Sequence, residues 1–470
     1  MKAAAPLLKT DRGAAIVLLS LTMVLLIGLS AFAVDLGWLW LNASRVQSAA
    51  DAAALSGVTH LPANALQADI SAKLGAAANG YPDGGGTAVT TQVLLDNSLR
   101  ARVSTQVETF FLRVLGTPTI SISRDAVAQF VLPVPLGSNN HRFGWEADNN
   151  LLAAIQGQYT RYQDGDPYAT ECNEPVAGDN PDSGCVTSNP EYRPAGYHIG
   201  IQVDGGAGAL DVRIFDAGHY NGSAYGDRLL PTVNAGPQTV YQLYLPDSTP
   251  YDFSDNVPIA NCRLDLDAGE SAGTYENAWR SLCSSGFIAS TPGIYTLRVW
   301  TVGGGGINDY AVSANTTGTA ARAYGLGDMS LEARLSGVTN IDLAEIEDVH
   351  AGKTLEVSLF DPGDGSDGTI SVNAPGFAVS TCQYRRRGAG SWTSGCTIST
   401  SANQSSPNNY NGDWIDWQIS IPDTYMCTSG VGPGCFWTLT YDYTGPPTDR
   451  TTWSAAVIGN PVRLVTETTP

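Results

Sequence analysis

From Ala14 to Val34 the chain carries no charged side chain, and the apolar character continues past Asp35 through Leu36, Trp38, Leu39, Trp40 and Leu41. A run of that length cannot be kept in water at the surface of a small fold; it is long enough to cross a bilayer as a helix. Lys2, Lys9 and Arg12 precede it, and basic residues stay on the cytoplasmic side. The reading is therefore a cytoplasmic tail at 1–12, a transmembrane helix at 13–41 and an exported remainder. Trp38 and Trp40 fall where indole rings prefer the membrane interface. The alternative is a cleaved leader ending at Ala31-Phe32-Ala33. Against it, the apolar run outlasts a usual leader core and does not turn polar at the cut. Either way, the body lies outside the cytoplasm.

That body is acidic and cysteine-bearing. The whole chain of 470 residues has a formal net charge of −20, so it repels nucleic acid. After the first dozen residues only Lys73 and Lys353 occur among lysines, and Gly, Asn, Thr and Ser are frequent, which suits a β-rich exported protein better than a helical cytosolic one. All eight cysteines follow the apolar run. They fall into local couples: Cys172 with Cys185, Cys262 with Cys283, Cys382 with Cys396, and Cys427 with Cys435. Disulfides are expected in that compartment, with sequential pairing one of many connectivities. A zinc site is disfavoured, because no Cys-x-x-Cys occurs and the histidines are scattered.

Just beyond the apolar run, Ala49, Ala53 and Gly57 recur four apart, so one helix face is lined by small residues that permit close helix approach. Such a face serves either partner helices or the protein's own first domain. The motifs Arg12-Gly13-Ala14-Ala15, Ala33-Val34-Asp35-Leu36-Gly37 and Gln47-Ser48-Ala49-Ala50-Asp51-Ala52-Ala53-Ala54-Leu55-Ser56-Gly57 stand around this helix. In order and spacing they resemble the N-terminus of TadE/TadG-like proteins of Tad (Flp, type IVb) pilus assembly. The similarity extends more weakly to about Gln129. It implies a structural role among pilin-like subunits. Two family features are missing: Leu18 stands where a prepilin cut after Gly13 would want Glu, and no Asp-x-Ser-x-Ser metal motif occurs.

Farther along, Leu66 to Ala78 reads as a second helix, stopped by Asn79 to Gly86. Strand patterns at 88–95, 99–105 and 119–131, with a short helix at 108–115, complete a small membrane-proximal α+β domain at 42–132. Residues 133–196 read as an irregular lead-in. The remainder contains a repeat: Leu210 to Gly218 realigns with Leu355 to Gly363, both ending Phe-Asp-x-Gly, with a strand upstream and Trp-bearing segments downstream of each. Two jelly-roll-like β-sandwich domains, at 197–320 and 321–470, are the economical expectation. Pro292 to Val299 with Tyr310 to Ala314 resembles the closing strands of prepeptidase C-terminal-type modules, implying display rather than catalysis.

The fold class expected is mainly β with an N-terminal transmembrane helix. No catalytic motif occurs in a supporting context, so no enzyme and no cofactor is expected. Gly303 to Gly306 reads as a hairpin loop. Asp361, Asp364 and Asp367 share a glycine-rich loop and offer hard oxygens to calcium, with a solvated turn as the alternative. Trp392, Trp414, Trp417 and Tyr425 are either a sugar-stacking platform or core rings. Arg385-Arg386-Arg387 is a basic run for an acidic partner, or a solvated loop. Two functions follow: a single-pass envelope component of a Tad-like pilus system, with the membrane and pilin-like subunits as partners, or an anchored display protein binding surface glycans.

Overall fold

The computed structural model describes residues 12–61, 65–94, 98–130, 134–146, 151–175, 184–217, 228–229, 238–246, 253, 256–267, 278–333, 337–363, 367–376, 379, 381–427, 434–444, 449–458 and 462–465. It is mostly antiparallel β-structure with one long apolar helix. The chain divides into two compact units, one of residues 1–132 with 460–470 and one of residues 133–459.

In the first unit α1 (Arg12–Val58) and α2 (Ala65–Ala78) lie against a sheet of β1 (Thr87–Leu94), β2 (Ser98–Glu108), β3 (Thr119–Phe130) and the strand Val462–Val465. Alanine supplies the helix cores: Ala49, Ala50, Ala53 and Ala54 of α1 meet Ala68, Ala72 and Ala76 of α2, and the sheet adds Leu99, Ala101 and Val103. With no bulky side chains between them, the helix backbones nearly touch. A Cβ on Gly57 would sit 2.7 Å from the Ala68 carbonyl, and one on Gly75 2.8 Å from that of Ala52. The expected strands and second helix form within a few residues of the predicted limits. The helix foreseen at 108–115 does not. β2 runs on to Glu108, and only a single 3-10 turn, Leu112–Leu115, follows. Gly116, at φ 94°, ends that turn, a conformation that suits a residue without Cβ.

The second unit holds both copies of the repeat. Copy one follows the chain order Tyr197–Val203, Ala209–Asp216, Gln238–Tyr244, Pro258–Asp267, Ala278–Ser281, Gly293–Val302, Gly306–Thr316. Copy two follows Gly337–Glu345, Thr354–Phe360, Gly368–Asn373, Thr397–Thr400, Trp414–Ser420, Phe436–Tyr443, Asp449–Ile458, with Cys382–Arg386 inserted. Corresponding strands alternate between the same two large sheets in the same order.

The copies are nevertheless not two separate sandwich domains, and the boundary at 320/321 does not hold. Each large sheet runs through both copies. In one, Pro135–Leu136, which precedes copy one, pairs with Gly337–Glu345 of copy two, whereas Arg322–Leu326, which precedes copy two, pairs with Tyr197–Val203 of copy one. These two leading strands also pair with each other. The copies thus exchange strands across a shared centre. In the other sheet Leu151–Gln156 lies between Gly306–Thr316 and Asp328–Ala333.

Residues 133–196 are therefore not an irregular lead-in. Leu151–Gln156 is buried throughout, and the segment after it is tied to both copies. Thr301 Oγ1 donates to the Gln156 carbonyl at 2.9 Å, and Thr452 Oγ1 to that of Gly165 at 2.9 Å. Buried Asp166 accepts hydrogen bonds from the Gln156, Tyr168 and Ala169 amides and, at 2.6 Å, from the Tyr197 hydroxyl. Burial still pushes its carboxyl up to about 6. Gly165 passes so close to Arg450 that a Cβ would fall 2.3 Å from its carbonyl oxygen.

One apolar core fills the space between the large sheets, with Tyr197, Tyr241 and Tyr295 from copy one and Trp417, Trp437 and Trp453 from copy two fully buried. Truncating one such ring to alanine costs about 3–5 kcal/mol. The disulfides are the sequential pairs: Cys172–Cys185, Cys262–Cys283, Cys382–Cys396 and Cys427–Cys435.

Candidate membrane-anchor site

The lower part of α1 is apolar on every side and packs on nothing. Between Ile16 and Val34 the large side chains are exposed all round the helix, Leu18 at 70% and Val24 at 71%. At ~1.5 Å per residue that stretch is roughly 28 Å long, close to the ~30 Å of a bilayer's hydrocarbon core. It is a candidate membrane span by length and composition.

Asp35 ends the span. A carboxylate there would be costly in lipid, yet it is fully buried in protein. Its Oδ1 accepts the Phe110 amide at 2.8 Å, and its Oδ2 accepts those of Phe111 at 2.9 Å and Leu112 at 2.7 Å. These are amide donors at the start of the Leu112–Leu115 turn that have no partner within it, so the aspartate caps that turn from a distant helix. One turn farther, Trp38 Nε1 donates to the Glu108 carbonyl at 3.2 Å, and its ring lies 5.4 Å from that of Phe110. A groove of about 350 Å³ opens beside them, lined by Trp38, Asn42, Tyr81, Thr105, Glu108 and Phe110. Trp40 points outward, 74% exposed.

Above this junction the small-residue face is occupied from within. Ala49, Ala53 and Gly57 are completely buried against α2 and the sheet. Of the two uses foreseen for that face, the structure takes the internal one, and no partner helix can reach it in this fold.

Among the described residues the other candidates do not assemble into a site. Asp361 is buried at φ 60° and accepts the Gly412 amide at 2.6 Å; Asp367 is exposed and accepts Ser401 Oγ at 2.9 Å and the Ala402 amide at 3.0 Å. Asp364 lies outside the described residues. Among the described residues no group of three or more metal-ligating side chains comes together. Trp414, Trp417 and Tyr425 are core rings, at 4%, 0% and 5% exposure, so of the two uses weighed for them the structure takes core packing. Ile415, Trp417 and Ile419 alternate into the shared core, whereas Trp414, of the opposite parity, is covered by the rings of Tyr168 and Phe360. Trp392 is half-buried, with the Arg385 guanidinium 4.3 Å from its ring. Arg386 pairs with Asp413 at 2.9 Å and Arg387 with Asp416 at 2.7 Å, which neutralises much of the basic run. Gly303 to Gly306 is not the hairpin loop expected: it joins Gly293–Val302 to Gly306–Thr316, which lie in different large sheets, so the turn carries the chain from one sheet to the other.

What sequence reasoning missed is the loop between β2 and β3. The adjacent Phe110-Phe111, followed by Val114-Leu115 in a short connection between two strands, was the available signal.

Residues 13–65 match the family described as putative Flp pilus-assembly TadE/G-like. No curated protein matches the chain. Among solved structures, the N-terminal CBM22-1-CBM22-2 tandem domain from Paenibacillus barcinonensis Xyn10C aligns at 7% identity over 80% of this chain and 92% of that one. Its TM-score is 0.14, a likeness too slight to support any inference.

Proposed function

We propose, on the premise that residues 13–65 form a TadE/G-like domain, that the protein is a membrane-anchored structural component of a Tad (Flp) pilus-assembly system. The observation that carries the reading is the bare apolar segment Ile16–Val34, which ends on the buried Asp35 junction. The N-terminus lies in the cytoplasm, because Lys2, Lys9 and Arg12 precede the span. Units rich in disulfides belong on the oxidising side of the membrane. The role is non-catalytic. Partners are pilin-like helices that meet the exposed part of α1 within the bilayer, since the small-residue face above it is filled.

The test is cellular. Full-length protein should stay with membranes through alkaline carbonate washing, and protease added from outside should digest the second unit while sparing the span. Deleting the gene should abolish assembled Flp-type pili. Recovery of the intact chain in the soluble fraction with reduced thiols would overturn the anchor, and normal piliation in the deletion strain would overturn the assembly role.

A further inference from the structure

We infer that the β2–β3 loop, from Thr109 to Pro118, is a second membrane contact, seating its apolar tip in the interface of the leaflet on the exported side. The inference rests on the anchor reading of α1 and adds a site to it. Four apolar side chains crowd this one short loop and stay outside the core: Phe110 is 51% exposed, Phe111 48%, Val114 83% and Leu115 81%. A cluster of this kind, unlike scattered single residues, marks a surface that meets another phase or partner.

The occupant follows from depth. Asp35 is the first residue after the apolar span, and its three hydrogen bonds hold Phe110, Phe111 and Leu112 at that level. With Ile16–Val34 filling the hydrocarbon, the loop lies at its edge, against Trp38. The exposed apolar side chains of the loop therefore begin at the level where the apolar span ends. Arg113, exposed between Leu112 and Val114, can reach lipid phosphate while its neighbours face acyl chains, the division of labour of an interfacial segment.

The loop is also stiff enough to serve as a foot. Thr109 closes it at both ends, through its Oγ1 to the Thr117 carbonyl at 2.6 Å and its amide to the Pro118 carbonyl at 3.0 Å. The Thr117 amide returns to the Leu112 carbonyl at 3.1 Å. A lone helix can spin about its axis in a bilayer. One with a rigid apolar foot on one side cannot, so the loop fixes which face of the span is offered to partner helices.

Because all eight native cysteines are disulfide-bonded, an introduced cysteine is the only reactive thiol. Full-length Val114→Cys, Leu26→Cys and Gln92→Cys carry an environment-sensitive fluorophore in lipid nanodiscs containing nitroxide lipids. Leu26 reports the span and exposed Gln92 the distant end of the hairpin. The expected result is severalfold stronger quenching at 114 than at 92 by nitroxides placed shallow in the acyl chain, and at 26 by those placed deep. Quenching at 26 but not at 114 overturns the foot while leaving the anchor. A 114 label shielded from both lipid and aqueous quenchers means a protein partner covers the loop, and also overturns it. No quenching at either position overturns the anchor itself.

Discussion

Replacing Gly57 with alanine tests whether the small-residue face belongs to the protein's own core. The added Cβ would lie 2.3 Å from Leu99 Cδ2, 2.7 Å from the Ala68 carbonyl oxygen and 3.0 Å from Ala72 Cβ, all inside the ~3.5 Å of ordinary contact. Leu99 is 1% exposed and has no free space to turn into, and the Ala68 carbonyl is backbone, so α2 must move away from α1. Overpacking of this kind costs about 1–3 kcal/mol, and the backbone clash places it toward the upper end. Alanine returns about 1 kcal/mol through helix propensity. The net loss is about 1–2 kcal/mol, which lowers the midpoint of the first unit by roughly 4–10 °C at the size of that unit. Calorimetry on full-length protein in detergent should show the shift in one transition only. Gly37→Ala is the control, because nothing lies within 4 Å of its Cβ position; its midpoint should hold or rise. If Gly57→Ala melts like the native protein but fails to associate with pilin-like subunits, the face serves partners and the packing argument is wrong.

Three further outcomes are expected. Asp35→Ala should raise hydrogen exchange at the Phe110, Phe111 and Leu112 amides while leaving Ala101 and Val103 protected; unchanged exchange at all three would mean the carboxylate does not hold the loop. Folding raises the Asp166 carboxyl to about 6, above the ~3.9 of an unfolded aspartate, so the folded state binds that proton more tightly. Its stabilising effect is full below about pH 4 and is lost as pH rises toward about 6. Asp166→Asn does not titrate and sets an amide against the Gln156 N–H, costing about 1–3 kcal/mol. Its deficit in melting temperature relative to native protein should therefore narrow between those pH values, and a constant deficit refutes the argument. Finally, the Cys262–Cys283 link closes a separation of 21 residues and Cys427–Cys435 one of 8. Loop entropy makes losing the first costlier by just under ~1 kcal/mol, which urea unfolding of the two double-alanine variants can rank.

Local patterns were legible where one period dominated. The uncharged run gave α1, alternating residues gave the strands around Leu210 and Leu355, and the local spacing of cysteines gave the disulfide pairs. The repeat was visible because Phe-Asp-x-Gly recurs at equivalent strand ends. What failed was long-range pairing. Leu151-Leu152-Ala153-Ala154-Ile155 is too short and too uniformly apolar for its period to be read, and nothing local in Pro135-Leu136 shows that its partner lies beyond residue 320. Trp414 and Trp417 offered two uses because an aromatic on a strand has the same local signature in a core and on a platform. For the anchor junction, Asp35 was recognised as a motif residue, but its partners lie 75 to 77 positions away. Only the folded hairpin brings them to it.

The pairing of Val462–Val465 with β3 sets a timetable for biogenesis. Residues 133–459 are threaded between two neighbouring strands of one sheet, so the unit bearing the anchor is the first to leave the ribosome and the last to be completed. Until the final strand arrives, β3 presents an open edge. A nascent chain stalled anywhere in the second unit would display that edge to proteases and chaperones, marking itself as unfinished.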